Sequence, residues 1–307
     1  MSFVSEPLQM ACVQSVRSAV RSAIVAAFAL TAVACERVVD ITVPTGPTRL
    51  VVQARLESRR PAERGGVRTP SPQRLRLTTT APYFDNQLPP PARGAVVRVA
   101  EAGGGVTTFR ESPTTPGEYV ADDLVLTVGA RYTLQIDWQG DRYESTETMQ
   151  SAVAIDSLYF APRQNRSAET DGLRGTLDVR DPENEANYYL WEQSVDGVPS
   201  TSADSSFNFR AVASDEFYNG RRVVSYQPYL GVRVRPGQLV RIRQYALSTV
   251  LYQYYLELNN EVGGDGSPFS LPVASVRGNV VNRSAPARRA LGYFTVSEYS
   301  EQERVVR

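Results

Sequence analysis

The sequence contains no histidine and no lysine, so all 33 of its basic residues are arginine. Without an imidazole, the chain cannot form a Ser-His-Asp triad, a Cys-His catalytic pair or a histidine-ligated zinc site. Its 33 acidic residues cancel the 33 arginines. This zero net charge is atypical of proteins that bind nucleic acids, which need a basic excess, so we predict no nucleic-acid partner.

Cysteine is almost absent as well, since the 307 residues include only two. One of them, Cys35, directly follows an apolar stretch over residues 23–34, which Arg17 and Arg21 precede. This stretch is too short to cross a bilayer, which needs about 20 apolar residues, but it suits a secretory signal. A secreted chain with so few cysteines depends on its packed core rather than on disulfides for stability.

The residues just before Cys35 predict its modification. Small alanine side chains lie one and three residues before it and match a bacterial lipobox, in which the cysteine thiol is lipidated and becomes the first mature residue. An ordinary signal peptide followed by a chance cysteine is the alternative. We expect a lipoprotein signal peptide over residues 1–34, starting at Met1 or Met10, and a lipidated tether over residues 35–48.

Short strands separated by turns dominate the region after the tether. Residues 49–57 form an apolar strand, and residues 132–138 alternate strictly between apolar and polar before a turn at Gln139-Gly140. About seven such strands within some hundred residues are typical of a sandwich. We predict an immunoglobulin-like or transthyretin-like β-sandwich over residues 49–150.

A second β-rich region follows over residues 151–307, and one of its segments has helical spacing. Apolar side chains recur every three to four residues over 248–262, with Ser248 available as N-cap and Gly263 as stop. The predicted fold class is therefore mainly all-β: an N-terminal β-sandwich followed by a second β-rich domain that carries one helix near residues 248–262.

Ten short segments, in their order and spacing from Cys35 to about Tyr299, resemble the Bacteroidota lipoprotein family catalogued as domain of unknown function 4249. Two departures from the family's pattern are Ser270-Leu271, where Asp-Pro is expected, and a longer loop over residues 58–73. The matching segments are Val33-Ala-Cys-Glu-Arg-Val-Val-Asp40, Leu50-Val-Val52, Thr80-Ala-Pro-Tyr-Phe-Asp-Asn86, Pro116-Gly-Glu-Tyr119, Gly129-Ala-Arg-Tyr-Thr-Leu134, Ile155-Asp-Ser-Leu158, Asn187-Tyr-Tyr189, Gly266-Ser-Pro-Phe269, Gly278-Asn279 and Ala290-Leu-Gly-Tyr-Phe294.

The resemblance implies a location and a partner. Members of this family are outer-membrane lipoproteins whose genes commonly lie beside those of TonB-dependent receptors. An accessory role in nutrient capture is the corresponding expectation. The resemblance supplies no catalytic residue.

Two groups of residues are candidates for binding. Tyr83 and Phe84 share a loop with the run Pro89-Pro90-Pro91, and aromatic side chains exposed on a loop often mark contact surfaces. The second group is a set of arginines that alternate with apolar residues in a predicted hairpin over residues 232–245. Its members are Arg233, Arg235, Arg241 and Arg243.

Such arginines have two interpretations. Several guanidinium groups on one sheet face could grip phosphates or acidic loops of a partner with paired hydrogen bonds. Alternatively, they lie on a solvated sheet face among Glu and Asp side chains of neighbouring strands.

Metal binding and catalysis have weaker support. Acidic and amide side chains crowd residues 178–187, as a Ca²⁺ site would require, but their spacing fits no EF-hand and suits a turn. No nucleophile elbow, phosphate-binding loop or dinucleotide fingerprint is present in the sequence. We predict no metal site, cofactor or catalytic residue. A carboxylate-based hydrolase is a further alternative for which no single acid stands out.

The sequence thus predicts a non-enzymatic, lipid-anchored outer-membrane protein that assists a TonB-dependent receptor. A free-standing surface adhesin that binds glycans or proteins is the alternative.

Overall fold

The computed structural model describes residues 46–61, 68–82, 85, 87–200, 211–262 and 276–307. Cys35, Tyr83 and Phe84 lie outside these residues. Strands dominate the described chain, which confirms the prediction of a mainly β protein. The strands are β1 (Leu50–Arg59), β2 (Ser71–Thr79), β3 (Val96–Glu101), β4 (Val106–Glu111), β5 (Glu118–Leu124), β6 (Arg131–Trp138), β7 (Asp141–Thr148), β8 (Ile155–Ala161), β9 (Arg174–Arg180), β10 (Tyr188–Val195), β11 (Val198–Pro199), β12 (Ala211–Ser214), β13 (Arg222–Tyr226), β14 (Leu239–Ala246), β15 (Val281–Asn282) and β16 (Leu291–Val305).

The described residues form two helices, α1 (Ala168–Asp171) and α2 (Thr249–Val262). Helix α2 begins one residue after the predicted N-cap, and the Ser248 hydroxyl accepts a hydrogen bond from the backbone nitrogen of Leu251 at 3.4 Å. The predicted helix and its cap are therefore confirmed. A polar side chain suits this position because it satisfies a backbone N–H that has no partner within the helix.

A large sheet connects most of the strands in the order β11-β10-β14-β16-β1-β2-β5-β4-β3-β6-β7-β15, with β12 beside β10. Strand β4 pairs with β5 through Glu111 and with β3 through Phe109. The sheet therefore bends at β4, so that the strands before and after β4 in this order lie face to face. Apolar side chains of β1, β2 and β16 share one core with those of β3 and β6, as in a sandwich.

The long strand β16 lies between β1 and β14. Its pairing with β1 is parallel, from Val51 opposite Leu291 to Arg59 opposite Tyr299. Strands of the two predicted domains therefore share hydrogen bonds. The residues from Gly46 to Arg307 form one compact unit, and a division at residue 150 stays a prediction.

Two smaller cores flank this sheet. One lies between β10 and β14 and a three-stranded sheet of order β13-β9-β8, with Leu177, Trp191 and Ile242 buried in it. The other lies beneath α2, where Leu251 and Tyr255 are buried with Tyr245 of β14. The face of β10 and β14 that carries Tyr245 is thus only partly covered by the helix, and the rest of that face carries the candidate site.

Candidate functional site

Strands β10, β14, β16 and β1 present a row of charged side chains on the sheet face that helix α2 covers in part. Successive side chains of a strand point to opposite faces, so alternate residues share one face. In the register of β14 and β16, Arg241 lies opposite Glu303 and Arg243 lies opposite Glu301. We name this surface the arginine–glutamate face. It consists of Arg55, Glu57, Arg59, Glu192, Arg241, Arg243, Glu301 and Glu303.

The two arginines of β14 are each held by carboxylates of neighbouring strands. Arg241 Nη2 lies 2.5 Å from Glu303 Oε2, and Arg243 Nε lies 2.6 Å from Glu301 Oε2. Arg243 Nη1 also lies 3.4 Å from Glu57 Oε1. Both guanidinium groups are therefore neutralised within the sheet.

Arg55 of β1 extends the same network to Glu192 of β10, across β16 and β14. Its Nη1 and Nη2 atoms donate to the two carboxylate oxygens of Glu192 at 2.7 and 3.2 Å, and its Nε lies 3.1 Å from Glu57. Paired donation of this kind is the strong geometry for an arginine–carboxylate contact. Arg59 adds a longer contact of 3.6 Å to Glu301. The face thus carries equal numbers of positive and negative groups.

Two tyrosine rings support the arginines from one side. The guanidinium carbon of Arg55 lies 4.5 Å from the ring centroid of Tyr245, and that of Arg243 lies 4.7 Å from the ring of Tyr299. These distances allow cation–π attraction. Burial alone would lower the pKa of Arg243, but hydrogen bonds to Glu301 and Tyr245 raise it above its ordinary value, so this arginine stays charged.

Helix α2 covers the neighbouring part of this sheet face with aromatic rings. Tyr254 and Tyr255 lie 5.5 and 5.7 Å from the ring of Tyr293 of β16, and Tyr252 lies 4.9 Å from Tyr188 of β10. Such pairs stabilise the contact between helix and sheet. The tyrosines of α2 therefore serve mainly to pack the helix.

Two open cavities adjoin the face. One, of about 530 Å³, is lined by Arg55, Glu192 and Tyr293 among others. The other, of about 900 Å³, is lined by Arg59, Tyr299 and Glu301, together with Arg60 and Arg68. These last two arginines hold the buried carboxylate of Glu298, at 3.4 and 2.5 Å.

The structure brings together only part of the predicted arginine group. Arg233 and Arg235 are exposed on the segment before β14, and the predicted hairpin is wrong. Val234 forms an isolated bridge with Leu173 instead of pairing with β14, since its side chain is buried in the core beneath the small sheet. Arg241 and Arg243 do share a face, and its carboxylates match the second interpretation of the arginines. Binding by any of the four stays a prediction.

The sequence analysis did not name the partners of these arginines. Arg55 and Glu57 come from β1, Glu192 from β10 and Glu301 from β16, which are far apart along the chain. The alternating pattern Arg-Leu-Glu at residues 55–57 signals a polar strand face. It does not show which strand lies beside it.

Among the acidic residues over 178–187, Asp181 has a structural role. Asp181 is buried and accepts hydrogen bonds from the hydroxyl of Tyr189 and, at 3.0 Å, from the backbone nitrogen of Gly220. Burial raises the pKa of Asp181. The described parts of the chain contain no group of three or more acidic, histidine or cysteine side chains that could hold a metal ion.

A comparison with protein families matches residues 36–303 to the family described as Domain of unknown function (DUF4249). The chain belongs to this family. The match covers all of the described strands up to most of β16, so the arginine–glutamate face lies within the family domain. A search of curated proteins finds no match to this member of the family. Neither helix of the described chain has the length and apolar character needed to span a membrane.

Proposed function

We propose that this family member is a non-enzymatic lipoprotein, anchored in the outer membrane through Cys35, that serves as an accessory subunit of a TonB-dependent nutrient uptake system. The lipobox before Cys35 supports the anchor, and the resemblance to outer-membrane lipoproteins encoded beside such receptors supports the partner. The observation that carries the docking role is the arginine–glutamate face.

Arginine and tyrosine are among the side chains enriched at the energetically important positions of protein interfaces. Here Arg241 and Arg243 retain 42% and 30% of their side-chain exposure, so a partner can reach them. Carboxylate partners restrain both side chains, and the ring of Tyr299 adds a contact to Arg243. A partner would therefore lose little side-chain entropy on binding them, which favours affinity.

The test is recovery of the native lipoprotein from outer membranes solubilised in a mild detergent. We expect a β-barrel receptor to copurify with the wild-type protein and to be lost with R241E/R243E. The matched control, R110E/R222E, makes the same change in charge at two exposed arginines outside the face. Repeated recovery without a receptor, or equal recovery with R241E/R243E, would contradict the proposal.

The anchor has its own measurement. Mass spectrometry of the protein from cell envelopes should find the N-terminal peptide beginning at a lipid-modified Cys35. An unmodified thiol at this position, or release of wild-type protein into the medium, would exclude a lipid anchor.

A free-standing adhesin is the second candidate. It is favoured by Leu88, which is 81% exposed beside the Pro89-Pro90-Pro91 run. An exposed apolar side chain in that loop suits contact with a sugar or a protein. Glycan binding by the full chain that is lost with Tyr83→Ala would support the adhesin.

A further inference from the structure

A cavity of about 440 Å³ lies beside β15 and the start of β16, away from the arginine–glutamate face. Three arginines line it: Arg49, Arg277 and Arg289. Among the described residues, no acidic side chain lines it, and the other lining residues are mostly apolar. They are Val276, Gly278, Val280, Val281, Pro286, Ala290 and Leu291.

These three arginines differ from their neighbours in having no ion-pair partner within the described ranges. Arg283 and Arg288, on the same segment, lie 3.1 and 2.7 Å from Glu144 and Asp141. The carboxylate of Glu257 accepts a hydrogen bond from the backbone nitrogen of Arg277 at 3.5 Å, not from its guanidinium group. The described lining of the cavity therefore carries an excess of positive charge.

The cavity wall also offers apolar surface. The side chain of Val281 is 44% exposed, and that of Leu291 is partly exposed. Exposed aliphatic side chains beside uncompensated arginines suit a ligand with an acidic group next to a hydrocarbon part. A free inorganic anion would leave the apolar wall in contact with water.

The position of Arg49 indicates the source of such a ligand. It follows Cys35 by fourteen residues, a length of chain that spans roughly 50 Å at most. If Cys35 carries the lipid anchor of the proposed function, this length of chain allows the cavity to reach the membrane surface. Arginines near an anionic membrane surface are attracted to it electrostatically.

We propose that this cavity binds the acidic headgroup and adjoining acyl region of a membrane lipid, with Arg49, Arg277 and Arg289 contacting the headgroup. The proposal rests on the lipid anchor only for the source of the ligand. The lipid would hold the protein against the bilayer in a defined orientation.

The test is calorimetric titration of the full chain in a neutral detergent with three probes: dihexanoyl phosphatidylglycerol, dihexanoyl phosphatidylcholine and inorganic phosphate. We expect saturable binding of the phosphatidylglycerol that weakens by on the order of tenfold or more in R49Q/R277Q/R289Q. The control R110Q/R131Q/R222Q removes the same charge from exposed arginines outside the cavity and should bind as the wild type does.

Several outcomes would overturn the proposal. They are no saturable binding, equal binding of phosphatidylcholine, equally tight binding of inorganic phosphate, or no effect of the triple variant. If that variant does not fold, Arg277→Gln and Arg289→Gln replace it, because both side chains are exposed. Receptor copurification tests the other face, so a negative result here leaves that result intact.

Discussion

The backbone of Gly278 lies directly against the backbone of Gly292. A Cβ atom built on Gly278 would overlap the carbonyl oxygen of Gly292, and one built on Gly292 would overlap the carbonyl oxygen of Val52. Gly292 also has a φ of 84°, which favours glycine. Three backbone segments therefore approach more closely here than any side chain allows, beside the floor of the arginine-lined cavity.

Gly278→Ala should destabilise the protein by about 2 kcal/mol or more, because backbone atoms must move to make room for the methyl group. Urea unfolding followed by circular dichroism measures the free energy of unfolding. Gly105→Ala is the control, since a Cβ there meets nothing within 4 Å, and it should change stability little. A Gly278→Ala protein as stable as the wild type would show that the contact is looser than described.

Asn279, the next residue, fastens this segment to β16. Its Nδ2 donates to the carbonyl oxygen of Phe294 at 2.7 Å, and its Oδ1 accepts from the backbone nitrogen of the same residue at 2.8 Å. Asn279→Ala leaves both backbone groups without a partner, which should cost about 2–3 kcal/mol of unfolding free energy. Asn260→Ala, on the exposed side of α2, serves as control. Similar losses in the two variants would contradict this role for Asn279.

Asp171 makes stability depend on pH. Hydrogen bonds from Arg163, together with the charge of Arg174, hold the pKa of Asp171 well below its ordinary value. Because the folded-state pKa is lowered, the carboxylate of Asp171 contributes its full stabilisation above the unfolded-state pKa near 4. This stabilisation is lost as pH falls through the folded-state pKa. Asp171→Asn should therefore destabilise the protein most above about pH 5, and the difference should shrink toward pH 2.

The measurement is the free energy of unfolding of wild type and Asp171→Asn at several pH values. Loss of the carboxylate also leaves the buried guanidinium of Arg174 without its ion-pair partner, so the effect near neutral pH should be large. Asp122→Asn, which alters an exposed pair with Arg110, should have a small effect throughout. A difference for Asp171→Asn that stays constant down to pH 2 would contradict the prediction.

The contact between Arg243 and Glu301 should be measurably coupled. Their side chains are 30% and 12% exposed, so solvent screens the pair less than a fully exposed one. A double-mutant cycle with Arg243→Met and Glu301→Met should give a coupling free energy of about 1 kcal/mol. The exposed pair Arg110 and Asp122 should give a value near zero by the same method. Equal coupling in the two cycles would show that burial has no influence on this face.

Local patterns were sufficient for some of the elements. The strict alternation of residues 132–138 predicts a strand, and β6 is Arg131–Trp138. The helical spacing and Ser248 predict α2 to within one residue. Both signals depend only on side-chain periodicity and on the capping of nearby backbone groups, which a short segment contains by itself.

The candidate site could be predicted only in part. Alternation places Arg241 and Arg243 on the same face of β14, but it is also compatible with a hairpin between residues 232–235 and β14. Burial of Val234 in the core beneath the small sheet directs that segment to Leu173 instead. The choice depends on packing partners elsewhere in the chain, which no local pattern encodes.

By itself, the sequence determined the mainly β character, the place of helix α2, the exclusion of histidine chemistry and the segments by which the family was recognised. Only the tertiary structure decided that β16 lies between β1 and β14, a pairing that places Glu301 opposite Arg243. It also decided that Arg49, Arg277 and Arg289 have no acidic partner among the described residues. The physical reason is the separation along the chain over which each kind of interaction acts. Periodicity and capping act over a few residues. Strand pairing and charge neutralisation join residues that are far apart along the chain, such as Val51 and Leu291 or Arg243 and Glu301.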